Sequence, residues 1–217
     1  MGLKFGAYHG KMADFIDQTD FDMAVFQFRD PRDVALSAHK AGVDDRSPCQ
    51  FVKHWLDWNR TVRTVTKMHR MPVIEHRFED LLTDPETVLG SIWNFLGIAP
   101  CDDALEFYNA EEQKQAAKTS YMWQNVAKPL QSDNKEKFYS EWGLWRTRAI
   151  EGALGRDGMA EFGYRPASLS RFPWRAFLNP PLPERRLRSE EDKEFQRRQN
   201  EIATNIRRRW DEMKAEA

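Results

Sequence analysis

Cysteine is scarce in this chain, and the two cysteines that occur, Cys49 and Cys101, lie far apart in the sequence. Such a pair forms neither a metal-binding spacing nor a disulfide framework, so a reducing interior and the absence of a metal are the default expectations. No apolar run approaches the length of a membrane span, and no signal peptide opens the chain. These absences predict a cytoplasmic protein without a membrane span.

An excess of charge of either sign is also missing. The chain has 33 basic and 34 acidic residues, for a formal net charge of −1. This balance argues against a general nucleic-acid or anionic-membrane surface, although a phosphorylated ligand needs only local positive charge. With 217 residues, of which 41% are hydrophobic, the chain is long enough to bury a substantial core.

Glycine-rich phosphate loops are absent as well. Gly2, Gly6 and Gly10 are isolated, and neither Ser-Gly-Thr nor Gly-Lys-Ser occurs in the sequence. Loops of these types cradle phosphates with consecutive backbone N–H groups. Because the chain shows no Walker lysine and no strand-terminal Asp for magnesium, a small-molecule or nucleotide kinase is a weak interpretation.

One segment, FQFRDPRDVALSAHK, nevertheless predicts a phosphate site, because a short apolar strand runs directly into a helix. Pro31 stands at the first helical position, and Asp30 and Asp33 are suited to cap the first turn. Arg29 and Ser37 then lie where a guanidinium, a hydroxyl and a helix N-terminus can meet one anion. The alternative is an ordinary strand-to-helix turn with a surface ion pair.

Apolar strands alternate with helices along the chain, which predicts an α/β fold with a parallel sheet covered on both faces. The predicted strands are residues 4–8, 23–28 and 73–78. Ser47 and Gln50 form a predicted capping box before a long amphipathic helix. Trp55 and Trp58 on that helix are expected to pack in the hydrophobic core. The alternative is that they line a pocket for the acceptor.

Further elements follow the third predicted strand. Asp84 opens a helix that Gly97 ends. The apolar positions of this helix predict a buried face formed by Val88, Ile92, Phe95 and Leu96. A shorter helix is expected over residues 102–112.

The composition changes after Tyr164, so residues 1–165 are interpreted as a domain and 166–217 as a Pro-rich arm followed by a charged helix. Four apolar residues of the arm are expected to dock on the domain: Phe172, Trp174, Phe177 and Leu178. The charged helix carries one apolar stripe made of Phe195, Ile202, Ile206, Trp210 and Met213. That stripe can pack on the domain or on a partner, for instance in a homo-oligomer.

At this point the residues resemble a known family. The pattern Arg-x-Pro-Arg-Asp-x-x-x-Ser after an apolar strand resembles the segment with which sulfotransferases hold the 3′-phosphate of the donor 3′-phosphoadenosine 5′-phosphosulfate. The stretch VIEHRFEDLLTDPETVLGSIWNFLGI resembles the same family's strand, its Tyr-Glu-Asp-Leu turn and the helix after it. The resemblance implies that Arg29 and Ser37 bind the 3′-phosphate. Phe78 replaces the usual Tyr, and its ring is expected either to face the adenine or to pack in the core.

The resemblance extends to two further parts of the chain. The region from 128 to 164 is similar to the family's C-terminal portion, in its bacterial and carbohydrate-directed branches, where a loop closes over the nucleotide. Ser132, Asn134 and Lys135 are the candidates for that loop, with a polar surface loop as the alternative. His9 lies twenty residues before Arg29 and stands where the family has its catalytic base.

The resemblance implies a three-layer, P-loop-NTPase-like sulfotransferase fold that lacks its first strand and the Pro-x-Ser-Gly-Thr loop. Three explanations for the missing loop stay open: a start too far downstream, a member that no longer catalyses, or a replacement loop. If the start is too far downstream, a membrane anchor before it is a further open possibility. The implied function is transfer of a sulfuryl group to a hydroxyl or amine of a small molecule, carbohydrate or lipid. The main alternative is a non-catalytic nucleotide-binding or interaction module.

Overall fold

The structure is a computed structural model, and it describes residues 22–42, 44–119, 121–178 and 181–185, together with positions 190, 194 and 197. The predicted strand at residues 4–8, the candidate base His9 and the apolar stripe of the C-terminal helix lie outside the described residues. Those predictions therefore remain predictions.

The described elements alternate between strands and helices in the first half and are helical afterwards. In chain order they are β1 (Ala24–Phe28), α1 (Pro31–Ala41), α2 (Pro48–Met68), β2 (Val73–Arg77), α3 (Phe78–Thr83), α4 (Pro85–Leu96), α5 (Glu111–Thr119), α6 (Phe138–Glu141) and α7 (Leu144–Ala160). Short 3₁₀ helices span Asp102–Asn109, Tyr121–Ala127, Leu169–Arg171 and Trp174–Leu178. The protein is thus mixed α/β and mostly helical in its described part.

The two described strands form one parallel pair. Ala24 lies opposite Val73, and the register continues to Phe28 opposite Arg77. Both strands were predicted to within one residue at each end, but Phe78 begins α3 and does not end β2. The described residues confirm a parallel α/β arrangement, and the sheet they contain has two strands.

Local signals fix the starts of α1 and α2. Asp30 caps α1, since its side chain accepts a hydrogen bond from the Arg32 backbone N–H at 2.9 Å. Ser47 and Gln50 form the predicted capping box of α2, with reciprocal bonds of 3.3 and 3.0 Å. Each helix has Pro directly after its cap, where the missing N–H costs nothing. Both starts are as predicted.

The described residues up to Pro100 and from Gln131 to Arg185 form a first compact unit. Its core lies between α2 and α7, and α1 and α6 pack against it. Its aromatic and aliphatic residues include Phe28, Trp55, Leu56, Phe138, Trp142, Ile150, Met159 and Phe162. Trp55 meets Phe162 edge to face with ring centroids 5.0 Å apart. Trp58 is buried as well. Both tryptophans are therefore core residues, as an aromatic stripe at helical spacing indicates.

Helix α4 has the predicted ends but not the predicted burial. Asp84 accepts the Thr87 N–H at 3.2 Å, and Gly97 ends the helix in the left-handed conformation with φ of +66°. None of the four positions of the expected buried face is buried; each is only partly covered. Among the described residues α4 packs against α3 and β2, and these contacts cover its apolar face only in part.

The compact unit just described contains the described residues up to Pro100 and those from Gln131 to Arg185, and Cys101–Leu130 belong to a second unit. In the second unit the helix expected over 102–112 is instead a 3₁₀ helix, Asp102–Asn109, followed by α5. Glu106 interrupts regular geometry there, with φ of −96° and ψ of 17°.

The arm after Tyr164 is only partly docked. Phe172 belongs to the core of the first unit, as do Ala167 and Ala176. Trp174 and Leu178 are exposed, so the expectation that they dock is wrong for the described residues. Phe177 is partly exposed, and its ring meets the Phe172 ring edge to face with centroids 6.4 Å apart. The 3₁₀ turn Trp174–Leu178 buries only its small Ala176 and directs the larger side chains outward.

Candidate anion-binding site

The candidate site lies at the carboxyl ends of the two strands. Arg29 directly follows β1, and Phe78 directly follows β2. Because the strands are parallel and in register, these residues come opposite each other. The Arg29 Cζ atom lies 4.9 Å from the centroid of the Phe78 ring. In parallel α/β sheets this edge is where ligands usually bind.

A third predicted residue joins this pair from a distant part of the chain. The Arg29 Nη2 group donates to the backbone oxygen of Asn134 at 3.0 Å and to its Oδ1 at 3.2 Å. Arg29, Phe78 and Asn134 are called the Arg29 cluster below. Two of the predicted donor-binding residues, Phe78 and Asn134, thus contact the guanidinium of a third, Arg29.

The Arg29 guanidinium is incompletely satisfied. Its Nε atom is buried and has no hydrogen-bond partner among the described residues. The ion pairs between described residues do not include Arg29. An unpaired buried donor costs about 1–3 kcal/mol, so an oxygen that accepts from Nε stabilises the site. The arrangement suits an anion with several oxygens.

The second arginine of the same segment is fully engaged. Arg32 lies between Asp30, at 2.6 Å, and Glu151, at 2.5 Å, and all three side chains are buried. Burial lowers the pKa of Arg32, but the hydrogen bonds and charges of Asp30 and Glu151 raise it overall. Arg32 therefore serves the core, and Arg29 is the arginine of this pair that is open to a ligand.

The loop of residues 131–137 carries Asn134. Hydrogen bonds hold this loop to Asp33 on one side and to Thr83 on the other. The buried Asp33 carboxylate accepts the backbone N–H of Glu136 at 2.5 Å and that of Phe138 at 3.0 Å. On the other side, Lys135 Nζ donates to Thr83 Oγ1 at 2.6 Å. The loop thus bridges α1, which follows β1, and α3, which follows β2.

Asp33 differs from its expected role. The sequence suggested a cap for the first turn of α1, and Asp30 fills that position while Asp33 reaches across to the loop. Burial and the neighbouring Asp30 charge raise the pKa of Asp33 from 3.8 to about 6, against the opposing effects of Arg29 and the two backbone N–H groups. Asp33 is thus a buried carboxyl whose pKa is raised to about 6.

Two predicted residues do not join the cluster. Ser37 is exposed on α1, and Ser132 is exposed at the start of the loop. No hydrogen bond between described residues links either hydroxyl to Arg29. Their assignment to the donor therefore remains a prediction, as does that of Lys135, whose ammonium bonds to Thr83.

Sequence reasoning missed the role of Glu79. Its Oε1 accepts the Asp30 backbone N–H at 2.9 Å, and its Oε2 accepts the Tyr164 hydroxyl at 3.2 Å. Burial, followed by the charge of Glu79, raises the pKa of Tyr164, so the phenol stays protonated. Glu79 ties the end of β2 to the end of β1. The available signal was its place in the Phe-Glu-Asp-Leu turn.

A histidine on β2, His76, lies two residues before Phe78 of the cluster. Burial lowers the pKa of His76, against the opposing charge of Asp80, so the ring is neutral at pH 7. Its Nδ1 atom is buried and lacks a partner among the described residues. Within the described ranges no group of His, Cys, Asp or Glu is placed to hold a metal.

Comparison with family models, curated proteins and solved structures gives no match for this chain. In the part of the chain that is described, no helix has the length and apolarity required to cross a bilayer.

Proposed function

We propose that the protein is a sulfotransferase that uses 3′-phosphoadenosine 5′-phosphosulfate as its donor. The observation that supports this most is the Arg29 cluster: a guanidinium without an ion pair among the described residues, with an orphaned Nε–H, lying beside an aromatic ring and a polar loop. Phosphate oxygens satisfy the guanidinium, and the ring offers adenine a flat apolar surface.

In this proposal each residue of the cluster and each further predicted site residue has a separate role. Arg29 and Ser37 bind the 3′-phosphate, Phe78 packs against the adenine, and Asn134 orients the Arg29 guanidinium. Lys135 and Ser132 lie on the loop that covers the nucleotide, and His9 accepts the proton of the attacking group.

The reaction requires little covalent chemistry from the protein. The acceptor oxygen or nitrogen forms a bond to sulfur, the bridging S–O bond to the 5′-phosphate breaks, and the acceptor proton passes to the base. The donor supplies the activated sulfuryl group. The protein aligns the in-line displacement and neutralises charge, as in phosphoryl transfer.

The proposed fold is the three-layer, P-loop-NTPase-like sulfotransferase fold. The proposed location of the protein is the cytoplasm. Strands β1 and β2 each have an outer edge that pairs with no described strand, so the sheet has positions for the further strands that this fold needs. The parallel connection from β1 through α1 and α2 to β2 agrees with such a sheet.

Calorimetric titration with the desulfated nucleotide tests the proposal. The wild type should bind it more tightly than 5′-AMP, which lacks the 3′-phosphate. Arg29→Ala should lower the affinity for the desulfated nucleotide at least about tenfold. The affinity of this variant for the desulfated nucleotide should then be close to its affinity for 5′-AMP. Arg60→Ala, which removes an exposed arginine paired with Glu161, is the matched control. Equal binding of both nucleotides by the wild type would contradict the proposal.

The second candidate is a non-catalytic module that binds the nucleotide. It is favoured by one feature of the sequence, the absence of a glycine-rich loop for the 5′-phosphosulfate. Binding of the desulfated nucleotide together with no sulfuryl transfer from the donor to any hydroxyl or amine acceptor would support this module. A kinase remains the weakest alternative because no Walker lysine is visible.

A further inference from the structure

A short stretch of the arm exposes an unusual amount of apolar surface. The five large side chains involved, called the apolar arm surface below, are Leu169 (55% exposed), Trp174 (69%), Phe177 (46%), Leu178 (68%) and Leu182 (53%). They fall within fourteen residues of sequence. Singly scattered exposed hydrophobic residues are ordinary, whereas five so close together in the sequence of one short arm indicate an interaction site.

The stretch that carries this surface is fixed from beneath. Phe172 and Ala176 are buried in the core, and the Phe172 ring meets the Tyr139 ring with centroids 4.8 Å apart. The Ser168 N–H donates to the Tyr139 hydroxyl at 3.1 Å, and Arg148 donates to the Ala167 carbonyl oxygen at 3.0 Å. The apolar residues therefore protrude from a held backbone, and binding through them costs little ordering entropy.

Positive charge accompanies the apolar residues. From residue 165 to 183 the sequence has three arginines and no acidic residue, although the whole chain carries a net charge of −1. Arg171 pairs with Glu136. Arg165 and Arg175 are exposed and form no ion pair with a described carboxylate, and the Arg175 Cζ atom lies 5.6 Å from the Trp174 ring centroid.

We propose that this arm docks on an anionic membrane surface. Trp and Phe with flanking Arg are the residues that partition into the headgroup region, where rings and aliphatic chains meet the acyl boundary while guanidinium groups face lipid phosphates. The absence of acids along the arm gives the charge complementarity that such a surface requires. The proposal concerns the arm alone and does not depend on the activity assigned to the Arg29 cluster.

Vesicle co-sedimentation of the full chain tests this docking. The wild type should sediment with vesicles of phosphatidylcholine mixed with phosphatidylglycerol, and much less with phosphatidylcholine alone. The double variant Trp174→Ser with Leu178→Ser should lose about tenfold or more in partitioning. Arg165→Gln with Arg175→Gln should weaken binding mainly at low salt, because screening already reduces the charge contribution at high salt. Circular dichroism should show both double variants folded, since the substituted side chains are exposed.

The matched control is Met68→Ser at the end of α2, which removes another apolar side chain that is 74% exposed and should bind as the wild type does. Failure of the wild type to sediment with the mixed vesicles would overturn the proposal, as would equal binding by the Trp174 and Leu178 double variant. A dimer in light scattering that this variant dissociates, without vesicle binding, would show a protein partner and also overturn it.

Discussion

The Asp33 carboxylate accepts the backbone N–H of Phe138 at 3.0 Å, although the two residues are 105 positions apart in the chain. Asp33 is only 1% exposed, and it belongs to the helix that begins two residues after Arg29. Because the same carboxylate also holds the N–H of Glu136, it fixes the loop on which Asn134 reaches Arg29. The stability of the core and the geometry of the site therefore depend on one buried acid.

Replacing Asp33 should destabilise the protein and release the loop. Asp33→Ala leaves the N–H groups of Glu136 and Phe138 buried without an acceptor, and we expect a loss of about 2 kcal/mol in the free energy of unfolding at pH 5. Asp33→Asn keeps one acceptor oxygen and should lose less. Urea denaturation measures both variants. Equal stability of Asp33→Ala and the wild type would show that the loop is held by other contacts.

The stability of the wild type should also depend on the protonation of Asp33. The folded-state pKa of about 6 lies above the ordinary 3.8, so the folded state binds the proton more strongly. The stabilisation is complete below 3.8 and is lost as the pH rises through about 6. A pKa difference of this size corresponds to at most about 3 kcal/mol.

Urea denaturation between pH 4 and pH 7 measures this effect when the wild type is compared with Asp33→Asn, which cannot titrate at this position. We expect the stability of the wild type relative to this variant to fall as the pH rises. A difference that stays constant over the range would show that the carboxyl keeps its ordinary pKa in the folded protein.

Local features of the fold follow from the sequence because their signals lie within a few residues of each other. The Ser47 and Gln50 box, the Asp84 cap and the two strands are of this kind, and each is present in the structure. The contact of Arg29 with Phe78 follows too, once the strands are taken as parallel neighbours. Such features are set by local propensity and by the pairing of strand ends.

Long-range polar partners do not follow in this way. Asp33 and Glu136 were both visible in the sequence, but α1 and the loop come together only through the packing of α6 and α7 beneath them. The buried Glu151 is a similar case. The sequence around it indicates a helix but does not indicate that its partner is Arg32, 119 positions earlier. Burial of α4 was overestimated, since its apolar spacing does not show how wide the surface beneath it is.

The buried ion pair between Arg32 and Glu151 should be sensitive to loss of one partner. Their side chains are 5% and 6% exposed, and Glu151 also accepts the Ala167 N–H at 2.6 Å. Glu151→Ala leaves Arg32 with one carboxylate in the core, and we expect a loss of about 3–5 kcal/mol in the free energy of unfolding. Arg60→Ala breaks an exposed pair with Glu161 and should cost less than about 1 kcal/mol. Similar losses in the two variants would contradict this assignment.

Two glycines of α7 provide a matched test of packing between α2 and α7. A Cβ atom on Gly158 would lie 2.7 Å from the Leu56 Cδ2 atom, whereas one on Gly152 would meet nothing within 4 Å. Gly158→Ala should therefore lower the free energy of unfolding by about 1–2 kcal/mol through overpacking. Gly152→Ala should raise it by about 0.5–1 kcal/mol, because alanine loses less backbone entropy in a helix. Thermal denaturation distinguishes the two, and the same direction of change in both would exclude the packing explanation.

The contact between Arg29 and Asn134 predicts an energetic coupling that calorimetry can measure. Asn134→Ala removes the Oδ1 acceptor of the guanidinium and keeps the backbone acceptor, so it should lower affinity for the desulfated nucleotide several-fold by leaving Arg29 less well oriented. In the Arg29→Ala background the same change should have little further effect, which gives a coupling energy of about 1 kcal/mol. Ser140→Ala, which removes an exposed hydroxyl of α6, is the control. If Asn134→Ala lowers affinity equally with and without Arg29, then Asn134 contacts the nucleotide independently and does not orient the guanidinium.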